Sequence, residues 1–415
     1  MVYRAGLVGC GGVSRSHSRG LQAARDVELV ALADVYAPNL QVAGQEYGVD
    51  RLYADFREMI ERERLDLLDV CTQAPQHAPV VGAAAGLGVR GILCEKPIAL
   101  TLGEADEMVA ACARAGARLA INHQTRMIPS TFAVERLLQE GTIGDLRAIR
   151  MLDKGWRPAG NSLMELLTHV FDLVRIYAGD PSWVAAHLTV ATSGPRGDQQ
   201  APQRLATLED VVYSQTAWPT DRDCGLVLGD RCAATFGFGP REGWHSGLTA
   251  TVDSFFQPRT AASGGAWEPS VELLGTEGAL FLGGTSSHVD VYLHRGPWAP
   301  PGRLERIESP PRPIAPGPYA GRGAEAPHHT AMVEELVAAV EQGREHRSSG
   351  SEGRWALEMI MGVYESHRRG GARVPLPLEE RGHPLQRWIE DAGAPQPVKP
   401  EPRVKVLTPA PGVRA

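Results

Sequence analysis

Three sets of side chains in this 415-residue chain have types and spacings that can do chemistry. The first is Gly9-Cys10-Gly11-Gly12-Val13-Ser14, between an apolar run and a helical pattern. Its first glycine allows a tight turn, and its second lets backbone approach a pyrophosphate seated on the helix N-terminus. Ser14 takes the third, small-residue position. Asp34, 25 residues after Gly9, ends the next apolar run. A carboxylate there accepts hydrogen bonds from ribose hydroxyls and repels a 2'-phosphate. The second set is Glu95-Lys96-Pro97, closing the apolar run Gly91-Ile92-Leu93-Cys94. A charged pair at the end of a buried strand is costly unless it has partners or chemistry. The third is Glu165, His169 and Asp172, at i, i+4 and i+7. On a helix they share an arc about 60° wide, and the rest of that helix is apolar nearly all round, so it is expected to be buried.

An imidazole suits proton exchange with an alcohol near neutral pH. A carboxylate one turn away would orient it and stabilise its cation, and an ammonium would stabilise a developing alkoxide. Two other readings stay open for the third set. One is a buried polar network. The other is a metal site, although the spacing departs from His-Glu-x-x-His and no second ligand cluster is evident. The alternative reading of Asp34 is an exposed, unused acid.

These groups need elements to place them. Residues 3–122 alternate short apolar runs (Tyr3–Val8, Val27–Ala33, Leu67–Thr72, Gly91–Lys96, Arg118–Asn122) with helical patterns. One helix should start at Thr101, where Glu104 completes a capping box, and stop near Gly116. The alternation predicts a parallel sheet with helices on both faces. From about Asp145, strand-like runs dominate: Leu146–Met151, Trp183–Ala191, Asp210–Ala217, Ala233–Phe238, Leu248–Phe255, Val271–Leu274 and Val289–His294. One long helix, Leu163–Tyr177, interrupts them, and a mostly antiparallel sheet is expected. Residues 295–327 read as a Pro/Gly-rich loop, followed by helices Thr330–Gln342 and Gly353–Arg368. The expected domains are 1–123, a dinucleotide-binding domain; 124–378, an α/β domain built on the strand-rich segment; and 379–415, a Pro-rich, irregular arm.

Composition narrows the function classes. The chain is 43% hydrophobic and 22% charged, with a net charge of -7. It reads as globular, with no surface for nucleic acid or an anionic membrane. No apolar stretch reaches the ~18 residues of a membrane span, and no signal segment is read at the N-terminus. The six cysteines are scattered without a Cys-x-x-Cys pair, which suggests reduced thiols and a cytoplasmic location.

Together these residues resemble the glucose–fructose oxidoreductase / inositol dehydrogenase (Gfo/Idh/MocA) family, from Tyr3 to about Leu378. The resemblance runs through Gly9–Gly12, Asp34, Ala74-Pro75-Gln76-His77 and Cys94-Glu95-Lys96-Pro97. It continues through Gly141–Asp145, His169-Val170-Phe171-Asp172 and Val374-Pro375-Leu376-Pro377-Leu378. It implies a Rossmann domain, an open-sheet α/β domain and a homodimer or homotetramer. It also implies NAD, with NADP less favoured, and hydride transfer with a secondary alcohol of a sugar, inositol or cyclic polyol. Lys96 and His169 would be catalytic, with Glu165 where the family usually has Asp. Gly9, Gly11, Gly12, Val13, Asp34, Thr72, Ala74, His77, Glu95 and Lys96 would meet the cofactor. Arg126, Trp156 and Arg157 would join Lys96, Glu165 and His169 at the substrate. Arg126 could instead be a surface charge and His77 a helix cap. His328 and His329 read as exposed, and no metal is expected. Two rival functions remain: a glycoside-cleaving enzyme using the same lysine and histidine, and a non-catalytic NAD or sugar sensor.

Overall fold

The computed structural model describes residues 2–152, 159–193, 201–217, 222–239, 247–254, 270–285, 288–296, 304–307, 327–401 and 406–407. The chain divides into two compact units. One comprises Met1–Met127, Arg312–Arg354 and Glu401–Ala415, the other Ile128–Pro311 and Trp355–Pro400.

The first unit is built on β1 (Tyr3–Val8), β2 (Val27–Ala33), β3 (Leu52–Tyr53), β4 (Leu67–Val70), β5 (Gly91–Cys94) and β6 (Arg118–Ile121). They lie in the order β3-β2-β1-β4-β5-β6, every pair parallel. Strands β4 and β5 are buried throughout, as a sheet covered on both faces requires. Between the strands run α1 (Ser14–Ala23), α2 (Ala37–Tyr47), α3 (Phe56–Glu63), α4 (His77–Gly86) and α5 (Leu102–Ala115). Helix α5 opens on the Thr101/Glu104 capping box and closes on left-handed Gly116, the boundaries read from its sequence.

The helix Pro327–Gln342 also packs here. Its Ala331, Met332 and Leu336 share a core with Leu7, Leu93 and Ala120. Gly20 permits the approach, since a methyl group on it would lie 2.7 Å from His329 Cβ. A boundary at 123/124 would put this helix in the second domain; the apolar side of its pattern is covered by the first. Further along, the Leu407 amide donates to buried Asn39 Oδ1 at 2.7 Å, again within the first unit. The segment after 379 is also less irregular than its proline content suggests. Pro384–Asp391 is a helix of the second unit, its first turn capped by His383 Nδ1 and its Leu385 and Ile389 buried.

The second unit holds β7 (Leu146–Leu152), β8 (Pro181–Ala191), β9 (Gln203–Leu205), β10 (Val212–Tyr213), β11 (Leu226–Val227), β12 (Arg231–Phe238) and β13 (Thr249–Ser254). It continues with β14 (Ser270–Gly275), β15 (Gly278–Thr285), β16 (His288–Arg295), β17 (Glu305–Ile307) and β18 (Val374–Pro375). Ten form one sheet, β17-β16-β15-β14-β7-β13-β12-β8-β18, with β9 beside β8. All its neighbours are antiparallel except β7 and β13. Along β8, Val184, Ala186, Leu188 and Val190 are buried and alternate with partly or fully exposed residues, so one face meets a helical layer. In that layer Phe171 meets Phe236 edge-on at 5.4 Å.

Four stretches differ from their sequence pattern. Asp210–Ala217 is not one strand. Asp210 accepts from the Thr207 amide and pairs with Arg204, ending a single turn of helix, and only Val212–Tyr213 pairs, with β11. Strand β15 is hidden in the sequence by its glycines, and β17 lies inside the segment read as a loop. The helix Pro129–Gln139 shows no clear apolar stripe in the sequence, because its buried face mixes Ser130 and Thr131 with Val134 and Leu137. Among the described residues no helix is long and apolar enough to cross a membrane.

Candidate active site

The turn after β1 is set by backbone. Gly9 has φ +93°, and a methyl group there would sit 2.7 Å from the Cys71 carbonyl carbon and 2.8 Å from Thr72 N. Only glycine fits both conditions. Gly11 and Gly12 face open space, with nothing within 4 Å of where a side chain would begin. Val13 is the residue before α1, whose first turn carries no acid. Ser14 Oγ donates to the Gly11 carbonyl at 2.6 Å and meets the Tyr47 hydroxyl at 2.7 Å, so the third, small position also ties the turn to α2. Asp34 has structural work here: it accepts from the Cys10 amide at 2.6 Å and the Tyr36 amide at 2.7 Å. Thr72 Oγ1, beside the turn, is buried without a hydrogen-bond partner; Ala74, two residues on, is buried. Open glycines, a helix N-terminus and an orphaned hydroxyl fit a dinucleotide pyrophosphate.

Glu95 and Lys96 are both buried at the carboxyl end of β5, the edge at which parallel α/β sheets bind ligands. Glu95 lies in a polar cluster that sequence reasoning missed. His17 of α1 is wholly buried, its Nδ1 2.8 Å from Asp69 Oδ1 and its Nε2 2.9 Å from Glu95 Oε1. Asn122 Nδ2 donates to Glu95 Oε1 at 2.6 Å and lies 3.3 Å from His329 Nε2. Two signals were available: Asp69 is a charge inside the otherwise apolar β4, and His17 falls one turn after Ser14. His329, read as exposed, reaches this cluster and meets the His17 ring edge-on at 4.7 Å. His77 is buried and holds loops together. Its Nδ1 is 2.9 Å from the Pro97 carbonyl and its Nε2 3.2 Å from that of Thr72. Burial pushes its pKa below the ordinary histidine value.

In the second unit Glu165, His169 and Asp172 are all buried. Their helix is not regular: Ala159–Ser162 leads into a π-turn, Leu163–Leu167, and then Thr168–Ala178. A turn closed by i→i+5 bonds advances less per residue, so Glu165 and His169 depart from the regular 3.6-residue spacing; such turns are frequent at functional sites. The Cys224 thiol donates to Glu165 Oε1 at 3.2 Å, and Arg222 Nε lies 4.0 Å from Oε2. Arg126, a candidate substrate ligand, is buried in the first unit, where its guanidinium donates to the Arg347 carbonyl and to Glu352. Trp156 and Arg157 lie outside the described residues.

A doubly wound parallel sheet whose first turn is an open glycine loop at a helix N-terminus defines a dinucleotide-binding class of protein. Residues 3–123 match the family model GFO_IDH_MocA, described as an oxidoreductase family with an NAD-binding Rossmann fold. Residues 136–376 match the C-terminal alpha/beta domain of the same family. The chain belongs to this family. It is 37% identical over 226 residues to a D-apiose dehydrogenase of Paraburkholderia graminis, covering 51% of this chain and 59% of that protein. It is 26% identical over 185 residues to a myo-inositol 2-dehydrogenase of Thermotoga maritima, covering 43% and 55%. The matched stretches thus span little more than half of these relatives. An oxidoreductase from Agrobacterium radiobacter, solved with NAD+, L-tartaric acid and magnesium, has the same fold. Its TM-score is 0.67 at 18% identity, over 90% of this chain and 98% of that one.

Proposed function

We propose that this protein is an NAD-dependent dehydrogenase that interconverts a ring secondary alcohol and its ketone on a sugar, an inositol or a related cyclic polyol. Lys96 carries the reading: a buried lysine at the carboxyl end of β5, within the stretch matched by the NAD-binding family model. The sugar and inositol dehydrogenases among the relatives support the substrate class. NAD, held by the Gly9–Val13 turn, Asp34 and the chain around Thr72 and Ala74, supplies a hydride acceptor when bound. Lys96 lowers the energy of an alkoxide developing on the substrate oxygen. His169 exchanges the hydroxyl proton. Glu165, held by Cys224 and Arg222, supports His169 from the preceding turn. The burial of Lys96, Glu165 and His169 keeps competing water from these groups. We also take the chain to act in the cytoplasm as a homodimer or homotetramer, with the more exposed face of the ten-stranded sheet as its interface; a monomer in light scattering would refute this.

The test is a panel of sugars, inositols and aminosugars with NAD, followed at the absorbance of the reduced cofactor. Turnover on at least one member is expected. Lys96→Ala and His169→Ala should keep NADH binding and lose turnover by about 10² or more. Unchanged turnover in either variant removes that residue from the mechanism. NADH binding with no turnover on any member overturns the enzyme in favour of a sensor. Cleavage of a nitrophenyl glycoside without net NADH overturns the simple dehydrogenase. Tighter binding of NADPH than of NADH overturns the choice of cofactor.

A further inference from the structure

Of the cluster around His17, the residues His17, Asp69, Glu95 and Asn122 are buried and His329 is partly buried, a costly arrangement. Both His17 ring nitrogens face carboxylate oxygens, Nδ1 towards Asp69 at 2.8 and 3.0 Å and Nε2 towards Glu95 at 2.9 Å. Each contact needs a proton between the atoms, so with both acids ionised the ring is an imidazolium. Burial alone opposes that charge. Asp69, with Cys71 beside it, outweighs the burial and raises the His17 pKa well above the ordinary histidine value. His329, facing the same ring, is pushed the other way by burial and by His17, to about 3, and stays neutral. The cluster therefore seats a charged imidazole between the Asp69 and Glu95 side chains in the core, an arrangement that hydrophobic residues could replace at little loss of stability.

A metal ion is the first alternative, because His17, Glu95 and His329 place ligand atoms within 4.8 Å of one another. Asn122 Nδ2 stands 3.0, 2.6 and 3.3 Å from those three atoms, in the place a cation would need. The other grouping, His17 with Asp69 and Cys71, uses the His17 nitrogen already hydrogen-bonded to Asp69.

We propose that His17, with Asn122, is a positioning residue for Lys96, acting through Glu95. This rests on the reading of Lys96 as the catalytic lysine. The chain is held on both sides of it. Before it, the Glu95 carboxylate is clamped by His17 and Asn122, and the Glu95 amide donates to the Val70 carbonyl at 2.9 Å. After it, His77 holds the Pro97 carbonyl. A lysine side chain is long and flexible, so fixing the backbone at its root is how a fold can aim its ammonium. The cluster joins α1, β4, β5 and β6 at that root, and a displacement of about 1 Å at such a point can cost 10²-fold in rate.

The chain has only four lysines: 96, 154, 399 and 405. This permits a readout independent of turnover. Full-length protein, with and without NADH, is acetylated briefly with acetic anhydride across a pH series, and Lys96 modification is measured against exposed Lys399 by peptide mass spectrometry. His17→Gln, whose amide can still donate to one carboxylate, should raise the Lys96:Lys399 ratio severalfold, lower kcat by about 10- to 100-fold and leave NADH affinity unchanged. Asn122→Leu removes one clamp at similar volume and should do the same to a smaller extent. It carries the test if His17→Gln does not fold. A folded variant that melts lower but keeps the parental ratio at every pH overturns the proposal and makes the cluster a matter of stability alone. If the parent turns over no polyol, the proposed activity fails, and the acetylation arm still decides this inference.

Discussion

Replacing Gly9 and Gly12 separately by alanine should split stability from cofactor binding. At Gly9 the new methyl group would sit 2.7–2.8 Å from Cys71 C, Cys71 O and Thr72 N, against 3.4 Å or more for an ordinary contact. These are backbone atoms beside β4 and cannot swing aside. Overpacking of this kind costs about 1–3 kcal/mol. The left-handed φ of +93° adds about 1–2 kcal/mol for a residue with a Cβ. Together they come to about 2–5 kcal/mol, on the order of 10 °C in melting temperature for a unit of this size. At Gly12 neither term applies, because nothing lies within 4 Å. Gly12→Ala should melt within a degree or two of the parent, since such sites usually change stability by less than about 0.5 kcal/mol. Its methyl group points into the space where a pyrophosphate would approach, so NADH affinity should fall about tenfold, equivalent to ~1.4 kcal/mol. Thermal melts and NADH fluorescence titrations of the two variants make the comparison. A parental melting temperature for Gly9→Ala would refute the packing argument. Parental NADH affinity for Gly12→Ala would refute the placement of the cofactor.

Acid should destabilise the fold through histidines held neutral. The His346 and His383 pKa values are each pushed down by burial from 6.5 to about 4, and each Nδ1 accepts a backbone amide, from Ser348 and Leu385. Between pH 6.5 and about 4 the unfolded chain binds protons that the folded chain refuses. Their contribution is therefore complete above pH 6.5 and is lost as pH falls through about 4, at ~1.4 kcal/mol per proton per pH unit. His383→Asn, which can still cap its helix, should flatten the acid limb of a melting-temperature profile; an unchanged slope would exclude His383 as a contributor. Glu365 is buried and pairs with Arg368, Arg369 and Arg387, the last on the helix Pro384–Asp391. Those arginines hold its pKa below the ordinary value against the cost of burial. Glu365→Ala should cost about 1–3 kcal/mol, since Arg368 and Arg387 keep Asp391 and Glu380 as partners and Arg369 is half exposed, and speed amide exchange in that helix; parental exchange there would show that Glu365 does not dock it.

Local chemistry made part of this protein legible in one dimension. The glycine turn, the Thr101/Glu104 cap and the alternation of apolar runs with helices depend on neighbours a few residues apart, and they recur in the structure at nearly the expected positions. The half-buried strands β7, β8 and β12 were legible for the same reason, since their side chains alternate between a covered and an open face. Strand β15 was not, because its glycines carry no pattern and its pairing partners supply the definition.

The site shows the same division. Lys96, His169 and the glycine loop could be singled out because their residue types are costly where the apolar pattern puts them. How the surroundings of Lys96 assemble could not be read. His17, Asp69, Glu95, Asn122 and His329 are spread over more than three hundred residues, and they meet only because β4, β5 and β6 lie side by side with α1 and the helix Pro327–Gln342 packed near them. The Asp69 carboxyl group that makes His17 a cation and the burial that keeps His329 neutral both arise from that packing, since the dielectric and the fields acting on a side chain belong to its neighbours in space. The sequence alone therefore determined which groups could do chemistry. The tertiary structure decided which of them carry charge, and what holds them in place.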